Sequence, residues 1–229
     1  MNIFLLSLDN EVGKERRKKI NYDYTILEET RNTKLENVPD IFISRMRNLH
    51  NIKDNYRRAK SCHFDAYYNL LIHIYENKID NVIICEDDAI LLNVDNLNKL
   101  KSLNLTTPVL LNGQLHHPTN YSKDNKTYFN NNLLPIINNF NPGINKIDYN
   151  KFRWSCCACI YYPDHKYIKK ILDCMENDKW ITTLDLWLSK KKFITHLYYP
   201  APFIIKDSNI SQVNVPRGTI DNYKLYKNK

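Results

Sequence analysis

The residues Asn81-Val-Ile-Ile-Cys85-Glu86-Asp87-Asp88 decide the fold of this chain. Their apolar run is typical of a strand buried on both faces, and three carboxylates follow it directly. Upstream, residues 54–77 predict a long helix, because apolar residues recur there at spacings of three and four: Ala59, Cys62, Ala66, Leu70 and Ile74. A helix, a tight turn and a buried strand form half of a doubly wound unit. The sequence therefore predicts an α/β fold with a central, mostly parallel, twisted sheet flanked by helices.

The remaining segments extend this unit in both directions along the chain. Apolar runs predict strands at residues 2–8, 22–27, 108–111, 154–162, 193–199 and 203–206. Helical patterns occupy residues 11–20, 95–103, 163–175 and 183–191. Residues 114–150, crowded with Asn, Pro and His, predict an irregular loop of the functional or mobile kind, and residues 214–229 predict a basic tail. Since no repeat or linker interrupts the pattern, we predict a single domain over residues 1–229.

Composition bears on the partners of the chain. The formal net charge of +8 over 229 residues favours anionic partners, namely nucleic acid, an anionic membrane surface or phosphorylated small molecules. Asn, Lys, Ile and Tyr are abundant, as expected from an AT-rich genome, and this bias raises the Lys count without a functional cause. The four glycines form neither a G-x-G-x-x-G fingerprint nor a Walker sequence. A nucleotide would therefore have to be held without a Gly-rich phosphate loop.

The six cysteines and the first residues bear on location. Cys156 and Cys159 have zinc-like spacing, but no second Cys/His pair stands at a matching separation, and whether they bind anything stays open. The opening run of apolar residues is too short for a signal peptide or a membrane span, and no other stretch reaches that length. We therefore expect a soluble, cytoplasmic protein in a reducing compartment.

The acidic triplet Glu86-Asp87-Asp88 is the strongest candidate site. Adjacent carboxylates raise each other's pKa, and a divalent cation is the usual remedy. Oxygen ligands suit Mg²⁺ or Mn²⁺, and open α/β sheets bind ligands at the carboxyl ends of their strands. The alternative is a solvated acidic turn whose side chains cap the next helix. The triplet taken without its context does not separate these two interpretations.

The segment Ile-Ile-Cys85-Glu86-Asp87-Asp88-Ala-Ile-Leu resembles the acidic, DXD-type "ILEDDV" segment of the lipooligosaccharide and procollagen galactosyltransferase family. Further similar segments follow in the order of that family: residues 2–9 with Glu15-Arg16-Arg17, Ser61-Cys62-His63, residues 154–172, Leu184-Asp185-Leu-Trp187-Leu, and Tyr199-Pro200-Ala-Pro202 with Ser208-Asn-Ile-Ser211. Compact glycosyltransferases encoded by large DNA viruses of algae are also similar, and a viral source would place the chain in the host cytoplasm.

The resemblance implies a GT-A fold, the fold of nucleotide-diphospho-sugar transferases. It also implies metal-dependent transfer of a sugar from a nucleotide-diphosphate donor, UDP-linked by default, to a glycan or glycoprotein hydroxyl. The chain departs from the family where Arg57-Arg58-Ala-Lys60 replaces a Gly-rich approach, and where Trp154-Ser155-Cys156-Cys157 replaces a Gly-Thr pair. These departures leave the donor sugar, the acceptor and the stereochemical outcome open.

The family's roles carry over to matching positions. Asp88 is the implied first ligand of Mn²⁺ or Mg²⁺, Glu86 contacts the metal, the ribose or sugar hydroxyls, and Asp87 contacts the sugar. The end of the first strand borders the base and ribose, and two arginines suit the diphosphate: Ser7, Leu8, Asp9, Arg57 and Arg58. For each arginine, a solvated first helical turn is the competing interpretation.

Two later residues complete the predicted site. Asp185 is the candidate base that removes the acceptor's proton if the reaction inverts the anomeric centre, and a plain helix-face carboxylate is its alternative. His196 ends a strand-like run and is a candidate late metal ligand, although a lone histidine is more often packed or surface-lying.

Two other classes of function compete with the transferase. A metal-dependent nuclease or phosphotransferase would use the basic charge and the triplet, but no D-x-n-E-x-K cluster follows the triplet. A non-catalytic basic protein could bind nucleic acid or a membrane surface through helices at residues 11–20 and 166–170. The ordered resemblances favour the transferase, with a nucleotide sugar and a glycan or glycoprotein as partners and no nucleic acid.

Overall fold

A computed structural model describes residues 1–7, 9–28, 40–45, 54–92, 94–116 and 129–205. Its strands are β1 (Asn2–Leu6), β2 (Val82–Glu86), β3 (Ala89–Leu91), β4 (Val109–His116), β5 (Gly143–Lys146), β6 (Arg153–Tyr162), β7 (His196–Tyr199) and β8 (Phe203–Ile205). Its helices are α1 (Glu11–Arg17), α2 (Asp40–Arg45), α3 (Asp54–Glu76), α4 (Val94–Ser102), α5 (Leu134–Asn138), α6 (His165–Asn177) and α7 (Leu184–Lys191), and a π-helical turn, Phe129–Leu133, precedes α5.

The main sheet has six strands in the order β1-β2-β6-β4-β7-β5. β1 is parallel to β2, and β7 is parallel to β4. β6 lies between β2 and β4 and is antiparallel to both, while β5 is antiparallel to β7 at the far edge. The predicted α/β class with a helix-flanked sheet is confirmed. The prediction of a mostly parallel sheet was wrong, because the insertion of β6 makes the sheet mixed.

Both faces of the sheet are covered, which explains the apolar run that forms β2. Val82 and Ile84 point into a cluster with α3, α6 and α7, whereas Ile83 and Cys85 point into a second cluster that includes α4. All four are at most 3% exposed. A strand with its two faces buried needs apolar residues in succession rather than alternation, as the sequence has here.

A second, small sheet lies next to the first. β3, which begins directly after the acidic triplet, is antiparallel to β8. This arrangement brings residues 203–205 back to the segment that carries the carboxylates. Among the described residues, no helix is long and apolar enough to cross a membrane.

Two segments differ from their predictions. Residues 22–27 form no strand in the structure. They make one parallel bridge between Thr25 and Phe4 at the edge of β1, with the Leu5 N–H donating to Thr25 O at 2.9 Å. Within residues 114–150, the part the structure describes is more ordered than predicted, since it holds the end of β4, the π-helical turn, α5 and β5. Residues 117–128 and the tail 214–229 lie outside the described residues.

Candidate functional site

The parallel pairing of β1 with β2 brings the predicted site residues to one edge of the sheet. Leu6 pairs with Glu86, so that Ser7 follows β1 at the same level where Asp87 and Asp88 follow β2. The two aspartates form the turn between β2 and β3 and are almost fully buried, at 3% and 4% exposed. The triplet is therefore part of the packed structure at the carboxyl end of the strand.

Asp87 is held by two donors from the protein. Ser7 Oγ donates to its Oδ2 at 2.8 Å, and Arg16 Nη1 donates to its Oδ1 at 2.9 Å. Arg16 also lies 3.8 Å from Asp88 Oδ2. Burial raises the pKa of Asp87 above its ordinary value, and the charge and hydrogen bond of Arg16, with that of Ser7, oppose the rise. Arg16 thus supplies buried positive charge beside two carboxylates of the triplet.

Helix α1 delivers Arg16 to this position. Asn10 caps the helix by accepting a hydrogen bond from the Gly13 N–H at 2.8 Å, which fixes the turn between β1 and α1. The next residue, Arg17, donates to Ser7 Oγ at 2.5 Å and lies 4.0 Å from Asp9, which is 54% exposed. Sequence reasoning used these arginines only as a point of resemblance and did not predict their contacts with the site.

The loop after α1 fixes the backbone that follows the triplet. Asn21 donates through Nδ2 to Leu91 O at 2.9 Å and accepts from Leu91 N at 3.0 Å. The Tyr22 hydroxyl donates to Ala89 O at 3.1 Å. These bonds satisfy backbone groups of β3 on the side away from β8. The segment from Ser7 to Tyr22 therefore holds the triplet from two sides, before it and after it.

Glu86 lines a cleft that opens to solvent. Asp185, in the first turn of α7, lines the same cleft, together with Tyr67, Cys85 and Cys159. The Glu86 side chain is 35% exposed, in contrast to the buried aspartates that follow it. Glu86 and Asp185 are about a hundred residues apart in the sequence, and both were predicted to belong to the site. The structure places both in the lining of one cleft.

His63 joins this group from α3. Its Nε2 lies 3.5 Å from Glu86 Oε1, and 27% of its side chain is exposed. Desolvation lowers the pKa of His63 to about 4, and the positive charge of Lys60 lowers it as well, while Asp185 and Asp88 act in the opposite direction. His63 is therefore neutral near pH 7. In the sequence, His63 appeared only in the segment Ser61-Cys62-His63 that resembles the galactosyltransferase family. Its position beside Glu86 depends on how α3 packs.

Not every predicted residue reaches this edge. Through the pairings of β7 with β4, β4 with β6 and β6 with β2, His196 lies level with Ile83, at the beginning of β2. At about 3.3 Å per residue and about 4.8 Å per strand step, its Cα is roughly 17 Å from that of Glu86. His196 Nδ1 instead contacts the hydroxyls of Thr195, at 2.9 Å, and Thr107, at 3.3 Å. The structure does not bring His196 to Asp88.

Three other predicted residues are described incompletely. Leu8 lies outside the described residues. Arg57 and Arg58 belong to the first turns of α3, but their side chains lie outside the description. Their predicted contacts with a diphosphate therefore stay predictions.

A different acidic group lies at the opposite end of β2. Asp80, Asp164 and His165 have ligand atoms within 4.8 Å of one another. Their contacts serve the start of α6: Asp164 caps the helix by accepting from Lys166 N, and Asp80 Oδ1 accepts from His165 N at 3.0 Å and contacts His165 Nδ1 at 2.7 Å. This exposed group is far from the cleft, and helix capping accounts for its contacts.

The carboxylates of Glu86, Asp88 and Asp185 are ligands of the type that Mg²⁺ and Mn²⁺ prefer. Glu86 and Asp185 line the cleft, whereas both oxygens of Asp87 are engaged by Ser7 and Arg16. In the described part of the chain, Asp80, Asp164 and His165 form the group of three whose ligand atoms lie within 4.8 Å of one another, and the triplet forms no such group. A metal at the triplet therefore stays a prediction.

The fold and the site define an α/β protein with a mixed six-stranded sheet and an acidic cleft at the carboxyl edge of β1 and β2. No family model matches the chain, and no curated protein matches it at a significant level. What the protein does is therefore inferred from the chemistry of its own residues.

Proposed function

We propose that the chain is a metal-dependent glycosyltransferase of the GT-A type. It transfers a sugar from a nucleotide-diphosphate donor, by default UDP-linked, to a hydroxyl of a glycan or glycoprotein. The observation that carries the proposal is the meeting of Glu86 and Asp185 in one cleft at the carboxyl edge of a parallel strand pair. This edge is where α/β proteins bind nucleotides, and the acidic motif supplies the ligands that a metal–diphosphate complex needs.

Glu86 and Asp88 are the residues that would hold Mg²⁺ or Mn²⁺. When bound, the cation would supply positive charge that stabilises the departing nucleotide diphosphate. Asp87 has a supporting role, because its hydrogen bonds with Ser7 and Arg16 join the triplet to β1 and α1. Ser7 and Asp9 follow β1 at the same edge, and we assign them to the region that would contact the base or the ribose.

Asp185 is the residue that would accept the proton of the acceptor hydroxyl. It stands in the first turn of α7, half-buried, on the wall of the cleft that faces Glu86. His63 is neutral near pH 7 and can exchange a hydrogen bond with a sugar hydroxyl near Glu86. The cleft thus offers a carboxylate base and a neutral polar group opposite the metal ligands.

Calorimetric titration with UDP and UDP-sugars, with and without Mn²⁺, tests this proposal. Wild type is compared with Glu86→Gln, Asp185→Asn and a control, Asp173→Asn, which removes an exposed carboxylate from α6. We expect UDP binding to require Mn²⁺ and to weaken at least about tenfold in Glu86→Gln, because a metal ligand is lost. Asp185→Asn should bind the donor normally and lose transfer by about 10²–10⁴-fold.

Other outcomes would redirect the assignment. Nucleotide sugars that fail to bind under any divalent metal would refute the transferase. Metal-dependent cleavage of DNA that is lost in Glu86→Gln would support the nuclease. DNA binding that falls steeply with salt and survives Glu86→Gln would support a basic binding protein.

A further inference from the structure

Two cysteines lie opposite each other on neighbouring strands of the main sheet. Cys85 of β2 pairs directly with Cys159 of β6 in the antiparallel register, and their sulfur atoms are 2.9 Å apart. Both residues are buried, at 0% and 1% exposed, and their side chains belong to the second apolar cluster. Cys85 precedes Glu86 directly in the chain.

The geometry of this pair suits a covalent bond. Residues directly opposite in an antiparallel pair have Cβ atoms about 4.5–5.5 Å apart, at the upper edge of the range that a disulfide spans. A disulfide bond is about 2.05 Å long, so the two sulfur atoms of Cys85 and Cys159 need to approach by about 1 Å. Side-chain rotation and a small inward shift supply such a movement, and the register of β2 and β6 is kept.

We propose that Cys85 and Cys159 are a covalent modification site: a dithiol that a small disulfide oxidant of the glutathione class converts into a cross-strand disulfide. The thiolate of one cysteine attacks a sulfur of the oxidant, forms a mixed disulfide and releases one small thiol. The second cysteine then attacks the protein sulfur of that mixed disulfide and releases the second small thiol. Two electrons and two protons pass from the cysteine pair to the oxidant.

The side chains of Cys85 and Cys159 point into the second apolar cluster, on the face of the sheet opposite the apolar side chains that line the cleft. An oxidant therefore reaches the sulfur atoms through a local opening of the folded sheet and not through the cleft. The resulting bond would join the strand that carries the acidic triplet to its neighbour, one residue before Glu86. The proposal does not depend on the proposed sugar transfer.

Peptide mapping of the full chain tests the proposal. The reduced protein is treated under native conditions with oxidised glutathione, alkylated, digested with trypsin and analysed by mass spectrometry. Cys85 falls in the peptide of residues 79–99, and Cys159 falls in residues 154–166 together with Cys156 and Cys157. We expect a cross-linked pair of these peptides that disappears on reduction, with fragmentation that places the bond on Cys159.

Two cysteine variants test which residue forms the disulfide with Cys85. Cys159→Ser should abolish the cross-link, whereas Cys174→Ser, which alters a cysteine on α6, should leave it unchanged. We expect the Cys85–Cys159 bond to exceed any other disulfide of Cys85 by at least about tenfold, because distant cysteines cannot be bridged without backbone movement. If Cys159→Ser does not fold, the fragmentation of the wild-type peptides decides the result.

The contrary outcomes are distinct. A stable glutathione adduct on Cys85 without a cross-link would overturn the proposal. So would a cross-link that forms through Cys156 or Cys157, or one that forms only after the protein is unfolded in urea.

Discussion

Arg16 offers a sharp test of how the acidic edge is held together. The substitution Arg16→Met removes a positive charge that lies 2.9 Å from Asp87 and 3.8 Å from Asp88. The three side chains are at most 10% exposed, so the two carboxylates would remain where water solvates them poorly. Removing one partner of a buried ion pair costs about 3–5 kcal/mol. That loss is a large fraction of the roughly 5–15 kcal/mol by which a domain is stable.

The free energy of unfolding that Arg16→Met loses should depend on pH, and the raised pKa of the buried Asp87 sets the direction of that dependence. Burial already raises the pKa of Asp87, and Arg16 opposes this rise, so Arg16→Met should raise the pKa further. A carboxyl whose pKa is higher in the folded than in the unfolded protein binds more protons when folded. Stability therefore falls as the pH rises through the window above the ordinary carboxyl pKa. We expect the variant to be more destabilised near pH 7 than near pH 5.

Urea unfolding followed by circular dichroism measures both effects. Lys14→Met is the matched control, because Lys14 lies on the same helix, is 51% exposed and contacts only Glu11 among the ion pairs of the described residues. The double variant Arg16→Met/Asp87→Asn should recover part of the loss, since it removes a carboxylate that Arg16 neutralises. The reasoning is refuted if Arg16→Met loses no more stability than Lys14→Met, or if its loss is the same at both pH values.

Two further predictions concern Asp65 of α3 and Asn21, which follows α1. Burial raises the pKa of Asp65 to about 6, so this carboxylate destabilises the folded state increasingly as the pH rises from about 4 to 6. Asp65→Asn, whose amide oxygen can still accept from Asn69, should raise the free energy of unfolding at pH 7 by roughly 2 kcal/mol, and an unchanged urea midpoint would contradict this. Asn21→Ala removes two hydrogen bonds to the Leu91 backbone and should cost about 1–3 kcal/mol. Hydrogen exchange at the Leu91 amide should accelerate in this variant, and unchanged protection would show that these bonds do not hold β3.

The elements nearest the triplet could be predicted from the sequence because their patterns are local. Spacings of three and four placed a helix at residues 54–77, and the structure has α3 at Asp54–Glu76. An unbroken apolar run placed a strand at residues 81–85, and the structure has β2 at Val82–Glu86. Ser7 and the triplet then meet because β1 and β2 are parallel and end at the same edge.

Arg16 could not be recognised from its surroundings in the sequence. It belongs to a basic stretch in which Lys14 and Lys18 are exposed and pair with nearby glutamates. A charged residue in such a run is expected to face solvent, since burying it requires a partner. Its partner, Asp87, is 71 residues away, so only the packing of α1 against the edge of the sheet reveals the pair.

The order and direction of the strands could not be predicted from the sequence either. The run that forms β6 has the same apolar character whether its direction follows its neighbours or opposes them. His196 was associated with the triplet because it adjoins a strand-like run, but the edge that it occupies depends on the pairing of β7 with the beginning of β4. Pairing and direction are properties of the whole sheet, whereas periodicity reports on single segments.

The surroundings of the triplet change the argument that three carboxylates need a cation. Arg16 and Arg17 face Asp9, Asp87 and Asp88, so the carboxylates of this edge outnumber its guanidinium groups even before Glu86 and Asp185 are counted. A nucleotide diphosphate is itself anionic and would be repelled by such a cleft. Under the proposed function, Glu86 and Asp88 would hold a cation whose positive charge would offset the negative charge of the phosphates, while Asp87 is paired with Arg16. Nucleotide binding without a divalent metal would mean that the phosphates lie elsewhere.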